Sequence, residues 1–331
     1  MGGVDMLFID NNLTNPYFNL ATEEYLLKNF NEDVFMLWRN EPSIIVGKNQ
    51  NTLSEINYEY VKEKSIPVVR RLTGGGAVFH DLGNLNFTFI STDDSKSFTN
   101  FRKFTQPIID VLKELDINAE FTGRNDLTIE GKKFSGNAQC SYKNKVMHHG
   151  TLLFTSVIND ISAALKVKPA KFEGKGVKSV ASRVTNISDH MKTPITILEF
   201  KDMIMKHVST MNDNYSVYEL SEEDLGNIKK IHDEKYNTWQ WNYGNSPKYT
   251  LANEVKFSGG NLEFYLNVEK GKITEIKIFG DYFGKANVSE LEGLLIGKEH
   301  NEETIKSVLA DIDIDNYITG AAIENILKGL M

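Results

Sequence analysis

Apolar and polar positions along the chain change period repeatedly, and the changes lay out its elements. Met6–Ile9 is a short apolar run that predicts a strand, and Asn11–Pro16 is turn-rich. From Asn19 a helix is predicted, because Leu20, Leu26, Leu27 and Phe30 fall within an arc of roughly 120° at helical spacing. Val34–Trp38 and Ser43–Val46 read as strands on either side of Asn40-Glu41-Pro42. Pro67–Leu72 and Asn84–Ile90 read as two more, with Thr73-Gly74-Gly75-Gly76 between them. Phe101, Phe104, Ile108, Val111, Leu112 and Leu115 keep helical spacing, but Pro107 interrupts them. The helix is therefore expected to begin near Thr105, with Pro107 in its first turn. A hairpin follows, Asp126–Ile129 and Lys132–Gln139 around Glu130-Gly131, and then a strand at Val146–Phe154. Lys171–Lys178, with Gly174 and Gly176, reads as a mobile loop, and Ile197–His207 and Glu222–Tyr236 as helices.

The pattern breaks at Trp241–Tyr249, which holds Gly244, Asn245, Ser246 and Pro247, and then restarts. Leu262, Phe264, Leu266 and Val268 alternate as a strand, and a Glu269–Lys272 turn leads to Ile273–Phe279. Helices are expected at Glu302–Leu309 and after Thr319, where Ile323, Ile326, Leu327 and Leu330 share a face. The chain thus divides into a larger domain, residues 1–243, with a substantial sheet, and a small α+β domain, residues 244–331. Of 331 residues, 40% are hydrophobic, enough for a core without disulfide or metal staples.

Charge narrows the partners. The net charge of −8 disfavours a general nucleic-acid binder or an anionic-membrane binder. No apolar run approaches the ~18 residues of a membrane span. Met1–Asp5 lacks the basic and apolar regions of an export signal, so a cytoplasmic location is expected. Cys140, the single cysteine, can form no internal disulfide or cysteine-rich zinc site and fits a reducing compartment.

Three stretches carry chemistry. In Arg70-Arg71-Leu72-Thr73-Gly74-Gly75-Gly76-Ala77-Val78-Phe79-His80-Asp81, three glycines after an apolar strand can turn sharply and present backbone N–H groups to an anion. The two arginines add charge and bidentate donors suited to phosphate or carboxylate. A glycine-rich hairpin beside two surface arginines is the plain alternative. No phosphate-loop pattern Gly-x-x-x-x-Gly-Lys-Ser/Thr occurs, and Phe79 stands where a dinucleotide fingerprint needs its last glycine. The second stretch is Gly123-Arg124-Asn125-Asp126 with Gly131-Lys132-Lys133-Phe134-Ser135-Gly136-Asn137-Ala138-Gln139. Strand alternation would put Lys133, Ser135 and Asn137 on one face and Phe134 on the other. A lysine held there could stabilise charge on a phosphorus or carbonyl oxygen, and Gly136 would let a ligand approach. Lys132 and Lys133 could equally be solvated at a hairpin tip. The third stretch is His148-His149-Gly150-Thr151. Adjacent histidines in a strand face opposite ways, so at most one, His149, is expected to serve the site by giving or accepting a hydrogen bond. A two-histidine metal site is not expected.

Together and in this order, Arg-Arg-x-x-Gly-Gly-Gly-Ala-Val-Phe-His-Asp with Asn84, Gly-Arg-Asn-Asp, Lys-x-Ser-Gly and His-His-Gly-Thr resemble the lipoate–protein ligase family. The likeness continues through Lys178-Ser179-Val180, Ser182-Arg183-Val184 and Asn186 and into the C-terminal segment. The resemblance implies an α+β fold shared with biotin–protein ligases, a mixed sheet around an acyl-adenylate pocket, plus a small accessory domain. It implies ATP-dependent activation of lipoic acid to lipoyl-AMP with Mg²⁺, pyrophosphate release, and transfer to a lysine of apo lipoyl domains of 2-oxoacid dehydrogenases or of the glycine-cleavage H protein, in lipoate salvage. A monomer is expected. Residue by residue, it implies that Lys133 contacts the lipoate carboxyl and the ATP α-phosphate. Arg70 and Arg71 with Gly74, Gly75, Gly76, Ala77, Val78 and Phe79 would bind ATP, with Arg70 and Gly75 also at the acyl carbonyl. Asn125 and Asp126 would lie near the nucleotide, Asp126 also helping to position Mg²⁺. His149 would line the lipoyl site, and Lys171–Arg183 would close over the adenylate. The rival reading is an ATP-independent octanoyl or lipoyl transferase with a cysteine nucleophile. Gly123–Asp126, where such a cysteine is expected, has none, and Cys140 is placed after the strand near a turn.

Overall fold

Strands and helices share the chain, which a computed structural model describes at residues 6–92, 100–123, 125–165, 183–212, 214–246, 249–280 and 284–331. Two compact units emerge, residues 1–48 with 55–238, and residues 49–54 with 239–331. The strands of the first are β1 (Met6–Asp10), β2 (Asp33–Trp38), β3 (Ser43–Val46), β4 (Val68–Arg70), β5 (Val78–His80), β6 (Asn84–Thr92), β7 (Ala119–Thr122), β8 (Asp126–Ile129), β9 (Lys132–Tyr142), β10 (Lys145–Leu153) and β11 (Tyr215–Val217). Eight of them form a mixed sheet in the order β11-β1-β2-β6-β10-β9-β8-β7, and β4-β3-β5 form a small second sheet. In the second unit β12 (Tyr249–Phe257), β13 (Gly260–Glu269) and β14 (Lys272–Gly280) make an antiparallel sheet packed on helices Val288–Leu295, Glu302–Leu309 and Ile323–Leu330. The fold is α+β, as expected.

The two faces of the large sheet differ in chemistry. Phe8, Phe35, Leu37, Leu85, Phe87 and Phe89 point to one side, where helices Phe101–Glu114 and Ile197–Thr210 cover them to form the core. On the other side of β6 stand Asn84, Asn86 and Thr88, all buried, and helix Pro16–Asn29 lies over this polar face. That helix starts before Asn19 because Asn15 caps it, its side chain accepting from Phe18 N, and because Pro16 fits the first turn. It is buried almost all round from Asn19 to Leu27, so Glu23 and Glu24 lie inside despite their charge. The helix at Phe101–Glu114 likewise starts a turn earlier than Pro107 suggested, since Asn100 caps it. Pro107 is thus tolerated inside, at the loss of one backbone hydrogen bond.

Candidate active site

A cavity of about 350 Å³ opens on the polar face of the large sheet. Its floor is one cross-strand row. Asp126 on β8 pairs with Gly136 on β9, Thr151 on β10 pairs with Asn86 on β6, and Asn86 pairs with Trp38 on β2. Thr151 Oγ1 accepts from Gly136 N at 3.2 Å, joining the halves. Paired residues share a face, so these five side chains or Cα positions look into one space. Asp126 and Lys133 stand at one end of the row, and Trp38 stands at the other with the polar His80 and Asn86 beside it; Leu20 and Ile45 add apolar lining.

Lys133 reaches this face through an irregularity in the β8–β9 pairing. Thr128 pairs with Lys133 but Leu127 pairs with Ser135, leaving Phe134 as an extra residue. The shift puts Lys133 and Ser135 on opposite faces, correcting the simple alternation read from the sequence. Lys133 Nζ then lies 2.7 Å from Asp126 Oδ1. A β-carbon on Gly136 would stand 3.0 Å from Nζ, so the glycine leaves room for the ammonium. The backbone of Lys133 is pinned from the far side, its N–H donating to Arg183 O (2.9 Å) and its carbonyl accepting from Thr185 N (3.0 Å). Behind the floor, Asn137 Nδ2 donates to Asn125 O (3.1 Å) and Asn125 Nδ2 to Asn137 O (2.7 Å), which holds the turn before Asp126. His148, stacked between Phe87 and Phe104, bonds Asn137 Oδ1 through Nε2 at 3.2 Å. Asn137 crosses Gly150 so closely that a β-carbon there would meet Oδ1 at 2.2 Å and the Phe87 ring at 2.6 Å. Gly150→Ala should therefore cost about 1–3 kcal/mol in urea unfolding; an unchanged midpoint would contradict this packing.

The arginines shape the glycine-rich turn. Arg71 Nε donates to Thr73 Oγ1 (2.9 Å), and its terminal nitrogens donate to the carbonyls of Ile45, Gly74 and Gly76 (3.1, 2.6 and 2.9 Å). Gly75 adopts φ 91°, which favours glycine, and its absent β-carbon leaves space for that guanidinium. Arg70, only 1% exposed, donates to the carbonyls of Gly47 and Lys48. Burial lowers both guanidinium groups to about 10, so they remain cations at neutral pH.

His149 stands in a directed hydrogen-bond chain that the sequence did not reveal. Trp38 Nε1 donates to Thr88 Oγ1 (2.9 Å), and Thr88 donates to the buried Glu23 Oε1 (2.6 Å). Glu23 meets His149 Nδ1 at 2.9 Å, and His149 Nε2 lies 2.7 Å from Thr73 Oγ1. A carboxylate accepts, so His149 donates from Nδ1 to Glu23, while its Nε2 shares a hydrogen bond with the Thr73 hydroxyl, which also accepts from Arg71. Both ring nitrogens are thereby committed, and the ring itself forms cavity wall.

The cavity gathers Arg71, Gly75, Gly76, Ala77, Val78, Asn125, Asp126, Lys133 and His149 from the sequence-derived set. Gly74 and Arg70 are not among the lining residues, Arg70 holding instead the carbonyls of Gly47 and Lys48, and Phe79 is core. Arg124, the segment 166–182 and Met1–Asp5 lie outside the described residues. Cavity residues that the motifs did not single out include Leu20, Trp38, Ile45 and Asn86, and His80, which stood in the first motif without a role of its own, joins them. Cys140 sits within β9, paired with Met147, and not beyond the strand, which runs on to Tyr142. Burial pushes its thiol up to about 12, so it holds its proton and makes a poor nucleophile.

Comparison with known proteins agrees with this picture. The family model described as the lipoyl protein ligase A/B catalytic domain matches residues 15–209, and that of the bacterial lipoate protein ligase C-terminus matches residues 246–330. The lipoate-protein ligase LplJ of Bacillus subtilis is 48% identical over 97% of this chain and 99% of its own. Among solved structures, the bipartite lipoate protein ligase of Thermoplasma acidophilum, described together with its E2 lipoyl domain, superposes with a TM-score of 0.66 at 28% identity, covering 75% of this chain and 100% of its own. A lipoate-protein ligase A bound with ATP gives 0.61 at 26% identity, covering 73% and 99%.

Proposed function

The chain belongs to the lipoate–protein ligase family, and from that premise we propose that it activates lipoic acid with ATP and transfers the lipoyl group to a lysine of an apo lipoyl domain. The observation that carries the reading is Lys133, held by Asp126 in a cavity that also exposes the apolar Leu20, Trp38 and Ile45. A carboxylic acid with a long apolar tail matches that combination.

The residues suit two steps. In the first, a lipoate carboxylate oxygen bonds to the ATP α-phosphorus as the bond to pyrophosphate breaks, and charge builds on the phosphoryl oxygens. Lys133 Nζ supplies the cation there, and the turn at Gly75–Val78, fixed by Arg71, supplies backbone donors. Arg70 and Arg71 act by holding that turn and its neighbour in shape. Asn125 and Asp126 flank the nucleotide. The one carboxylate among the described lining residues, Asp126, fits a Mg²⁺ site completed by the phosphates, where the ion would neutralise their charge. In the second step the acceptor lysine amine attacks the acyl carbonyl, AMP leaves, and the amine loses its proton to solvent. Holding that amine in line supplies much of the rate.

The relatives' names support ATP and a lipoyl domain as partners, and the glycine-cleavage H protein is a second acceptor of the same chemistry. No helix among the described residues is long and apolar enough to cross a membrane, and we place the ligase in the cytoplasm as a monomer. The protonated Cys140 leaves the cysteine-dependent transferase unsupported. Purified protein with ATP, Mg²⁺, lipoic acid and an apo lipoyl domain should release pyrophosphate and raise the domain's mass by one lipoyl group. Transfer from an acylated carrier protein without ATP would overturn the reading.

A further inference from the structure

Two hydrogen-bond donors in the cavity have no partner among the described residues, His80 Nε2 and Asn86 Nδ2. Both residues line the cavity and both are nearly sealed from solvent, 3% and 1% exposed. Their donor character follows from their neighbours. Asn19 Nδ2 donates to the carbonyls of Leu13 and Arg39 and to Asn40 Oδ1. That fixes Asn40 with its oxygen toward Asn19 and its Nδ2 toward His80 Nδ1, 3.1 Å away. His80 Nδ1 is therefore an acceptor. Burial, with Arg71 and His149 nearby, lowers the ring to about 3, so it is neutral and its single proton is on Nε2. Asn86 Oδ1 accepts from Asn84 Nδ2 at 2.8 Å, which leaves Asn86 Nδ2 without a partner on a residue that lines the cavity, and Asn84 Oδ1 without one on a residue that does not. Leaving buried donors unpaired is costly, so such a pair marks the place of a ligand acceptor.

The place says which part of the ligand. Both residues abut Trp38: Asn86 is its cross-strand partner, and the His80 ring stands 6.1 Å from the indole. Along the floor row Asn86 is two strands from Gly136, over which Lys133 Nζ lies, a span of about 10 Å. That is too far for the group at Lys133 to reach back, but it suits the ring end of an extended lipoyl chain, whose disulfide sulfurs are the only acceptors there. Resting on the proposed activity, we infer that His80 and Asn86 are specificity-determining residues that donate to the dithiolane sulfurs and so distinguish lipoate from a plain fatty acyl chain.

The test compares three acids in ATP-dependent pyrophosphate release: lipoate, octanoate, and 5-cyclopentylpentanoate, which keeps the ring shape but has no sulfur. The wild-type enzyme should favour lipoate over the carbocycle by about tenfold in kcat/KM, because the carbocycle leaves both donors unpaired. In Asn86→Val that ratio should fall to about twofold, the change appearing in the lipoate value. Equal use of lipoate and the carbocycle by the wild-type enzyme would overturn the inference, with or without a folded variant. So would an Asn86→Val enzyme that loses activity on all three acids in equal proportion. Failure of the wild-type enzyme on every acid would instead remove the ligase reading itself.

Discussion

Lys133→Ala should lower ATP- and lipoate-dependent pyrophosphate release by about 10³-fold, the scale for removing one group that stabilises transition-state charge. The fold should survive. The side chain is 39% exposed and its partner Asp126 is 37% exposed, so the ion pair is worth under about 1 kcal/mol of stability. What fixes the residue is its backbone, clamped by Arg183 and Thr185, and alanine keeps both of those hydrogen bonds. Lys133→Arg should rescue poorly. Nζ sits where a single β-carbon on Gly136 would already crowd it at 3.0 Å, and a planar guanidinium is larger. Circular dichroism and a urea midpoint close to wild type, beside the lost pyrophosphate signal, would establish the role. Adenylation near the wild-type rate in the alanine variant would remove Lys133 from the mechanism.

The sequence made the chemistry of the glycine-rich turn and of Lys133 legible because glycine, lysine and arginine sat in motifs with few structural alternatives. It did not reveal the floor between them. Asn84-Leu85-Asn86-Phe87-Thr88-Phe89 alternates as a strand with one wet face would, yet the structure buries both faces. Helix Pro16–Asn29 roofs the polar side, and its Glu23 meets His149, 126 positions along the chain. No local pattern encodes a pairing of that separation. The face of Lys133 was also out of reach, because one extra residue opposite Leu127/Thr128 inverts the alternation that would place it. In the second unit, strand β12 and helix Val288–Leu295 escaped the pattern. β12 begins within the glycine- and proline-bearing stretch taken as a boundary. The arginines show the converse. Their type suggested phosphate contact, and their hydrogen bonds to backbone carbonyls give them a further part that the sequence did not show, holding the turn and its neighbour in shape. Burial of polar residues on an alternating strand, under a helix with inward carboxylates, is the signal by which the cavity could have been found.

The same burial of polar rings should make the protein acid-sensitive well above the carboxylate range. His80 is held near 3 by burial first and then by Arg71 and His149, and burial likewise holds His148 well below the usual 6.5. In the unfolded chain both rings protonate near pH 6.5. Between that pH and the folded values the unfolded state binds protons that the folded state does not, so stability rises with pH. The stabilisation is complete above pH ~6.5 and is lost as pH falls toward the folded values. Each histidine contributes a slope of about 1.4 kcal/mol per pH unit, and two together about 2.7. Against a total of about 5–15 kcal/mol, that should weaken the larger unit severely near pH 5. The buried carboxylates whose values are lowered, Glu24 and Asp224, enter only below about pH 4.5, so the two effects separate. Urea unfolding at pH 7.5, 6.5, 5.5 and 5.0, followed by amide exchange in β6 and β10, reads the larger unit. His148→Gln, which keeps a donor and an acceptor but cannot titrate, should halve the slope even if it lowers stability at pH 7.5. A stability that stays flat from pH 7 to 5.5 would mean that the rings gain protons in place near the unfolded value, and would overturn this prediction.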